Sequence, residues 1–354
     1  MRLTVFAVML LASTTMALGQ GNAPFMPVNP ADTSPASALD DMPSKTISNG
    51  LVSAKVYLPD PFGFYRSTRF DHAGMITHIT YKGHDYGRYW FVKTSPDVKN
   101  FTYDKDGLVA HPSDVAAGPV EEFAQNGFEE AGRGGRFLKI GVGILKRDND
   151  TYDRFHTYPI INEGKRSTQA TKTSIRFTQV IANDPSGYGY SYTKTVKLTP
   201  GKAELVIEDR LKNIGKKAID TTVYNHHFMT LSPGEDGVQL EAPFTLAHAR
   251  PMPADVVKFD GNRMTYLRGL TGEEQVASDL TGFTNTVADN DFKITSTKTG
   301  YGVRLRASMP VTRLLWWSVP STMGIEPYMD VKLKPGEEKT WTHTLDYYGP
   351  GESK

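Results

Sequence analysis

Cysteine is missing from all 354 residues, which excludes disulfides, thiolate zinc sites, thiol catalysis and lipid anchoring through a cysteine. Long apolar runs are missing too. Beyond the first residues no stretch approaches the ~20 that a membrane-spanning helix requires, so membrane insertion is not expected. The formal net charge is only +1 and no basic block occurs, so the concentrated positive face that nucleic acid demands is absent. Nor is there an amphipathic helix of good length or an internal repeat of fixed period.

What is abundant points to strands and turns. Hydrophobic residues make up 39% of the chain and aromatics 11%, with 17 Tyr, 17 Phe and 32 Gly, enough for a large β core. The length leaves one large all-β unit or two domains open.

The first 19 residues read as a signal peptide: Arg2 supplies the charge, residues 5–11 the apolar centre, and Ala17-Leu18-Gly19 the small-residue cleavage pattern. Export to a periplasm or the bacterial exterior is therefore expected, with core size standing in for disulfides. Residues 20–48, rich in Pro, Ala, Ser and Asp, are predicted to form a loosely packed leader. Residues 49–348 are predicted to form the folded domain and 349–354 a frayed tail.

Within that domain the pattern predicts strands over 51–58 and 75–82, a strand over 137–145, and then an antiparallel meander over 174–181, 190–198, 203–212 and 218–224. Further strands are predicted over 238–242, 292–296, 301–307, 312–318 and 339–347. Residues 86–135 are the least regular part. His72, His78 and His84 recur every six residues, which can place them on one face of a strand. Solvated or core histidines are the expectation for them, with no metal site. Gly132-Arg133-Gly134-Gly135-Arg136 lacks the Lys-Ser/Thr of a phosphate loop and reads as a flexible loop presenting an arginine. Asp148-Asn149-Asp150 with Asp153 lacks the glycine and final glutamate of a calcium loop and reads as a hairpin turn.

One acid draws attention. Glu326, in Gly324-Ile325-Glu326-Pro327-Tyr328, follows the aromatic run Trp316-Trp317 and is expected in a turn at a strand edge beside large rings. Apolar walls would raise its pKa, as suits a group that takes and returns a proton near neutral pH. A solvated turn acid is the plain alternative.

The segment Thr222-Val223-Tyr224-Asn225-His226-His227-Phe228-Met229-Thr230-Leu231 resembles the Asn-His-aromatic signature of galactose mutarotase-like (aldose 1-epimerase) proteins. About 100 residues later, Trp316-Trp317-Ser318-Val319-Pro320, Ile325-Glu326-Pro327 and Leu333-Lys334-Pro335-Gly336-Glu337 are similar to the closing strands of the same family. There a Glu-Pro pair carries the catalytic base. The resemblance spans residues 48–348 and is densest from about 190 onward.

The resemblance implies a large antiparallel β-sandwich with a sugar bound across one concave sheet, no cofactor and no metal. It implies Glu326 as the base at the anomeric hydroxyl and His226 as the acid at the ring oxygen, with His227 the alternative should the register differ by one. Trp317 would stack on the sugar. Asn126, in Asn126-Gly127-Phe128, stands where the family places a second histidine. Arg69, Arg88 and Arg133 compete as the binding arginine, and Asn285, Asp289 and Asp291 as the binding aspartate. The expected partner is a free aldose or saccharide, and the expected assembly a monomer or weak dimer. Three activities stay open: an aldose 1-epimerase, a noncatalytic carbohydrate-binding protein, and a polysaccharide lyase or hydrolase in which Asp71 or Asp330 would converge with His226.

Overall fold

Buried and half-buried side chains alternate along most of Ser174–Ile181 and of Glu204–Asn213, and do so unbroken over the nine residues of Tyr190–Leu198. That period of two marks a sheet with one face turned to a core. The computed structural model describes residues 39–60 and 63–352. The residues expected to form a signal peptide, and the expected leader up to residue 38, lie outside the described residues.

Two antiparallel sheets form the sandwich. The larger has ten strands, in the order Lys165–Ala170, Ser174–Ile181, Tyr190–Leu198, Glu204–Asn213, Glu338–Tyr348, Gly302–Ala307, Asp291–Ser296, Val238–Glu241, Arg263–Tyr266 and Val257–Asp260. The smaller has six: Ala247–His248, Val276–Thr281, Arg313–Val319, Thr322–Leu333, Ile219–His226 and Val120–Phe123. Their inner faces share apolar clusters in which Phe123, Val223, Met329 and Val331 of the smaller sheet meet Tyr192, Leu211 and Trp341 of the larger. This is the all-β, large antiparallel sandwich that the sequence led us to expect. No helix among the described residues is long and apolar enough to cross a membrane.

Several expectations need correction. Ordered structure starts before residue 49: Ser44–Ser48 pairs in full register with Val52–Tyr57, inside the segment assigned to the leader. The end is not frayed up to Glu352, whose carboxylate accepts from Lys82 Nζ at 2.8 Å and from Tyr81 Oη at 3.1 Å. The strand predicted over 137–145 is a hairpin of Arg136–Lys139 and Gly143–Lys146. Gly141 turns the chain with φ of 79°, and a Cβ there would lie 2.4 Å from the Asp71 carboxylate. Within the irregular stretch lies Val120–Phe123, which closes the edge of the smaller sheet.

The largest correction concerns Glu326-Pro327. They sit in the middle of the twelve-residue strand Thr322–Leu333, not in a turn. Pro327 pairs with Leu314 on one side. On the other, the ladder to Ile219–His226 stops at the pair Tyr224 and Tyr328 and resumes only at the bridge between Met229 and Met323. A proline, which has no N–H to give, is tolerated in an inner strand where the ladder opens.

Candidate active site

The opening in that ladder makes room for two side chains. His226 Nε2 lies 3.1 Å from Glu326 Oε1, with both residues 4% exposed. Gly324 provides the space, since a Cβ there would stand 2.8 Å from His226 Cε1. Parity does the rest. In strands, alternate residues share a face, so Glu122, Tyr224, His226, Glu326, Tyr328, Arg313 and Trp317 project from the outer face of the smaller sheet. Glu121, Val223, Met329 and Trp316 face the core. His227, past the strand's end, lines an apolar space with Tyr86, Phe228 and Tyr347 and lies 6.2 Å from the His343 ring. The acid therefore meets His226 and not His227.

Rings surround the pair. Phe228 stacks on His226 at 3.5 Å, while Trp317 and Phe70 approach it edge-on at 5.8 and 6.3 Å. Burial pushes Glu326 up to about 7 against the lowering influence of Arg69, Arg154 and the Tyr328 hydroxyl, which donates to Oε2 at 3.0 Å. Burial, with Arg69, His227 and Arg154 adding positive or competing charge, holds His226 well below the ordinary imidazole range. Burial thus favours the protonated form of Glu326 and the neutral form of His226.

Beside it opens a cleft of about 490 Å³. Glu122, Tyr224 and Tyr328 form its floor, and Lys139, Tyr152, Arg154, Phe155, Lys99 and Arg313 its walls. Tyr224 and Tyr328 are stacked at 4.4 Å. His226 and Glu326 do not line the cleft themselves. Tyr328 stands between it and Glu326, so the cleft and the pair are neighbours joined by one hydroxyl. Glu122 is the electrostatic centre of the floor. Its carboxylate accepts from Arg69 Nε at 2.9 Å, from Tyr224 Oη at 2.5 Å and from Arg154, with Lys139 Nζ 3.5 Å away. Burial alone would raise Glu122, but the charges of Arg154, Arg69 and Lys139 outweigh it and hold this carboxyl well below the usual range.

The remaining candidates divide cleanly. Arg69 joins the site as a buried partner of Glu122 and Asp114. Arg133 pairs with Asp150 on the surface and Arg88 is exposed; neither lines the cleft. Asn126 is a structural residue: its Oδ1 accepts from Asp220 N at 2.8 Å and its backbone bridges Leu138. The neighbouring Gln125 is the one that reaches the cleft. Asp289 caps a turn through Thr284 and Thr286, Asp291 pairs with Arg304, and Asn285 is an exposed turn residue. Asp71 points inward to Lys194, and Asp330 is bonded to Thr312. Neither converges with His226. His72, His78 and His84 bond separately to Ser67, Asp85 and Thr230.

Sequence reasoning missed Glu122, Arg154, Tyr224 and Tyr328. Parity could have placed Tyr224 and Tyr328 beside His226 and Glu326. Arg154 lies in a loop without period and gave no signal. As for metals, Glu121, Asp209 and His343 bring donor atoms within 4.8 Å of one another inside the sandwich, but the Lys194 ammonium already sits against Glu121 there.

Comparison with known proteins agrees with the architecture. No protein-family model matches the chain, and no curated protein matches it in sequence. Among solved structures, a provisional aldose 1-epimerase from Escherichia coli K12 superposes with a TM-score of 0.51 at 14% identity, over 87% of this chain and 99% of that one. A galactose mutarotase-like protein from Lactobacillus casei ATCC 334 gives 0.50 at 15% identity, over 86% and 100%. A protein from Synechocystis sp. PCC 6803 gives 0.50 at 12%, over 93% and 100%. The chain has the galactose mutarotase-like fold.

Proposed function

We propose that the protein is an exported, cofactor-free enzyme that interconverts the anomers of an aldose by acid-base ring opening. The observation that carries this reading is the His226–Glu326 pair, 3.1 Å apart in an aromatic box, with Glu326 pushed up to about 7. The fold shared with mutarotase-like proteins supports it, as do the signature segments around His226 and Glu326.

Ring opening needs one group to take a proton and another to give one, with the roles reversed on closing. Burial favours a proton on Glu326 over one on His226, and the direct contact between Glu326 Oε1 and His226 Nε2 is the route by which it passes to the imidazole. With it on His226, Glu326 takes the proton of the anomeric hydroxyl while His226 protonates the ring oxygen. The bond from the anomeric carbon to the ring oxygen breaks with its electrons going to that oxygen, and the aldehyde forms. The proton is now on Glu326. Rotation about the bond between the first and second carbons, followed by the reverse transfer, closes the other anomer and restores the pair. For this the sugar must pass Tyr328 and replace the direct His226–Glu326 contact with its own two oxygens.

A noncatalytic sugar-binding protein is the second reading. The near-complete burial of the pair and the position of Tyr328 across the way from the cleft favour it. Polarimetry separates the two. Freshly dissolved single-anomer aldoses are followed with the wild type, Glu326→Gln and His226→Ala. Acceleration that both variants abolish supports the enzyme. Buffer rates across the panel, together with thermal stabilisation by a sugar, would leave the binding protein. Export is tested separately, by sequencing the amino terminus of the mature chain recovered from the periplasm or medium.

A further inference from the structure

The charge lining the cleft is unbalanced. Lys99, Lys139, Arg154 and Arg313 face it, against Glu122 and Asp153. Glu122 is already shared by three cations, Arg69, Lys139 and Arg154. Arg154 still keeps a buried Nε–H with no acceptor, although it sits at the wall of an open cleft. Lys99 has no ion pair among the described residues. Arg313 spends only its Nε on Asp279, at 2.6 Å, and its guanidinium lies over the Tyr328 ring, 4.7 Å from the centroid, at the entrance to Glu326.

A neutral sugar would leave this excess unanswered. Its hydroxyls are weak acceptors for guanidinium and ammonium donors, and those donors lose hydration as the sugar fills the cleft. A ligand oxyanion would accept from them with charge-assisted bonds, for which a planar guanidinium is suited. The cleft walls focus the same positive potential and raise the local concentration of anions. The volume of about 490 Å³ is that of a small-molecule site, large enough for a sugar ring with a charged substituent.

We propose that the cleft recognises an anionic sugar, a hexuronate or a sugar sulfate ester, with Lys99 and Arg313 holding the charged substituent. The neutral ring would then lie over the two stacked tyrosines, its anomeric centre toward Glu326. The inference names the substrate class of the function proposed above and rests on that reading for the orientation of the ring, but not for the charge preference.

The test is calorimetric titration of the full mature protein with galacturonate, glucose 6-sulfate, galactose and glucose, with acetate as a carboxylate that carries no ring. Lys99→Gln, Arg313→Gln and the double variant are titrated in parallel. Charge-assisted bonds predict a Kd for one of the two anionic sugars at least about tenfold below that of its neutral counterpart. They predict that the double variant brings this ratio close to one while its circular dichroism is unchanged. Preference for galacturonate alone assigns a carboxylate, and preference for the sulfate ester alone assigns a sulfate. Equal affinities, binding of acetate as tight as that of the sugars, no binding by any sugar, or a ratio untouched in the double variant would each overturn the proposal. Polarimetry on galacturonate and galactose keeps the two ideas apart. Anomer exchange without preferential anion binding sinks this inference alone, and preferential binding without accelerated exchange sinks the epimerase alone.

Discussion

Glu326 and Tyr328 lie on one face of one strand, two residues apart, and the tyrosine hydroxyl donates to the carboxyl at 3.0 Å. Tyr328 is also part of the cleft floor. The single hydroxyl that connects the cleft to the buried acid is therefore a hydrogen bond that favours the acid's ionised form. That bond and the burial around it oppose one another, and burial dominates.

The first prediction follows from the tyrosine. In Tyr328→Phe the ionised form of Glu326 loses a donor, so its pKa rises further above about 7. If ionised Glu326 is the base for ring opening, the limb of the pH–rate profile on which activity grows with pH moves to higher pH. Optical rotation across pH 5 to 9 reads this shift. An unmoved limb with a lower plateau would mean that Tyr328 acts only on substrate binding.

The second concerns stability against pH. Glu326 binds its proton more tightly folded, at about 7, than unfolded, at 4.5. Between those values the native state holds more protons, so this residue's contribution to stability is fully present below the unfolded value and is lost as pH rises through the folded one. The loss is on the order of 3 kcal/mol at about 1.4 kcal/mol for each unit of pKa. Glu326→Gln removes this dependence. The stability of the variant relative to wild type should grow between pH 4.5 and 7, as measured by urea unfolding at each pH. His226, held low by burial, loses stability in the opposite direction, as pH falls below the ordinary imidazole value. His226→Ala should flatten the acid side instead.

The third uses the glycine under the imidazole. Gly324→Ala places a methyl 2.8 Å from His226 Cε1, in a site already closed by Phe228 on the ring's face. Overpacking of this kind costs about 1 to 3 kcal/mol. Here it should also move the ring off Glu326, so activity should fall far more than stability. A variant with full activity would show that the 3.1 Å contact is not needed for turnover.

The sandwich was legible in the sequence where strands of its larger sheet obey one rule without interruption. Ser174–Ile181 and Tyr190–Leu198 alternate from end to end and are separated by Asn, Asp, Pro and Gly, so bounds and type could be read together. Glu326 stood out for a different reason, its place beside the aromatic run Trp316-Trp317, to which the family signature added, and its setting was misjudged because Pro327 reads locally as a turn. The proline sits where two strands part, and parting is a property of the partner strand that no local window contains. Glu121-Glu122 shows the same limit. Consecutive strand residues must face opposite ways, yet only the pairing of Glu122 with Tyr224 and of Glu121 with Asn225 tells which one meets the cleft. Arg154 came from a loop, where no periodicity exists to be read.

The last prediction tests charges that the alternation rule places in the core. Lys194, Asp209 and His343 fall at the buried phase of their strands, among Val196, Ile207 and Leu345. Lys194 is 0% exposed, pairs with Glu121 and lies 3.5 Å from Asp71. Burial would lower its pKa, but Glu121, Asp71 and Asp209 outweigh that and keep the ammonium charged. Lys194→Met would strand the negative charge of its partners in the interior, at a cost of about 3 to 5 kcal/mol. Asp209 differs. Burial and the nearby Glu121 push its carboxyl well above the usual range, which favours the protonated form, and its Oδ1 accepts from Tyr192 Oη at 2.7 Å. Asp209→Asn keeps an acceptor in that place and should cost no more than about one net hydrogen bond, ~1 kcal/mol. Thermal unfolding of the two variants side by side decides the matter. A large loss in Asp209→Asn would mean that the carboxylate is ionised and needs a cation besides Lys194, and the three donors of Glu121, Asp209 and His343 would then have to be examined for a bound metal by elemental analysis.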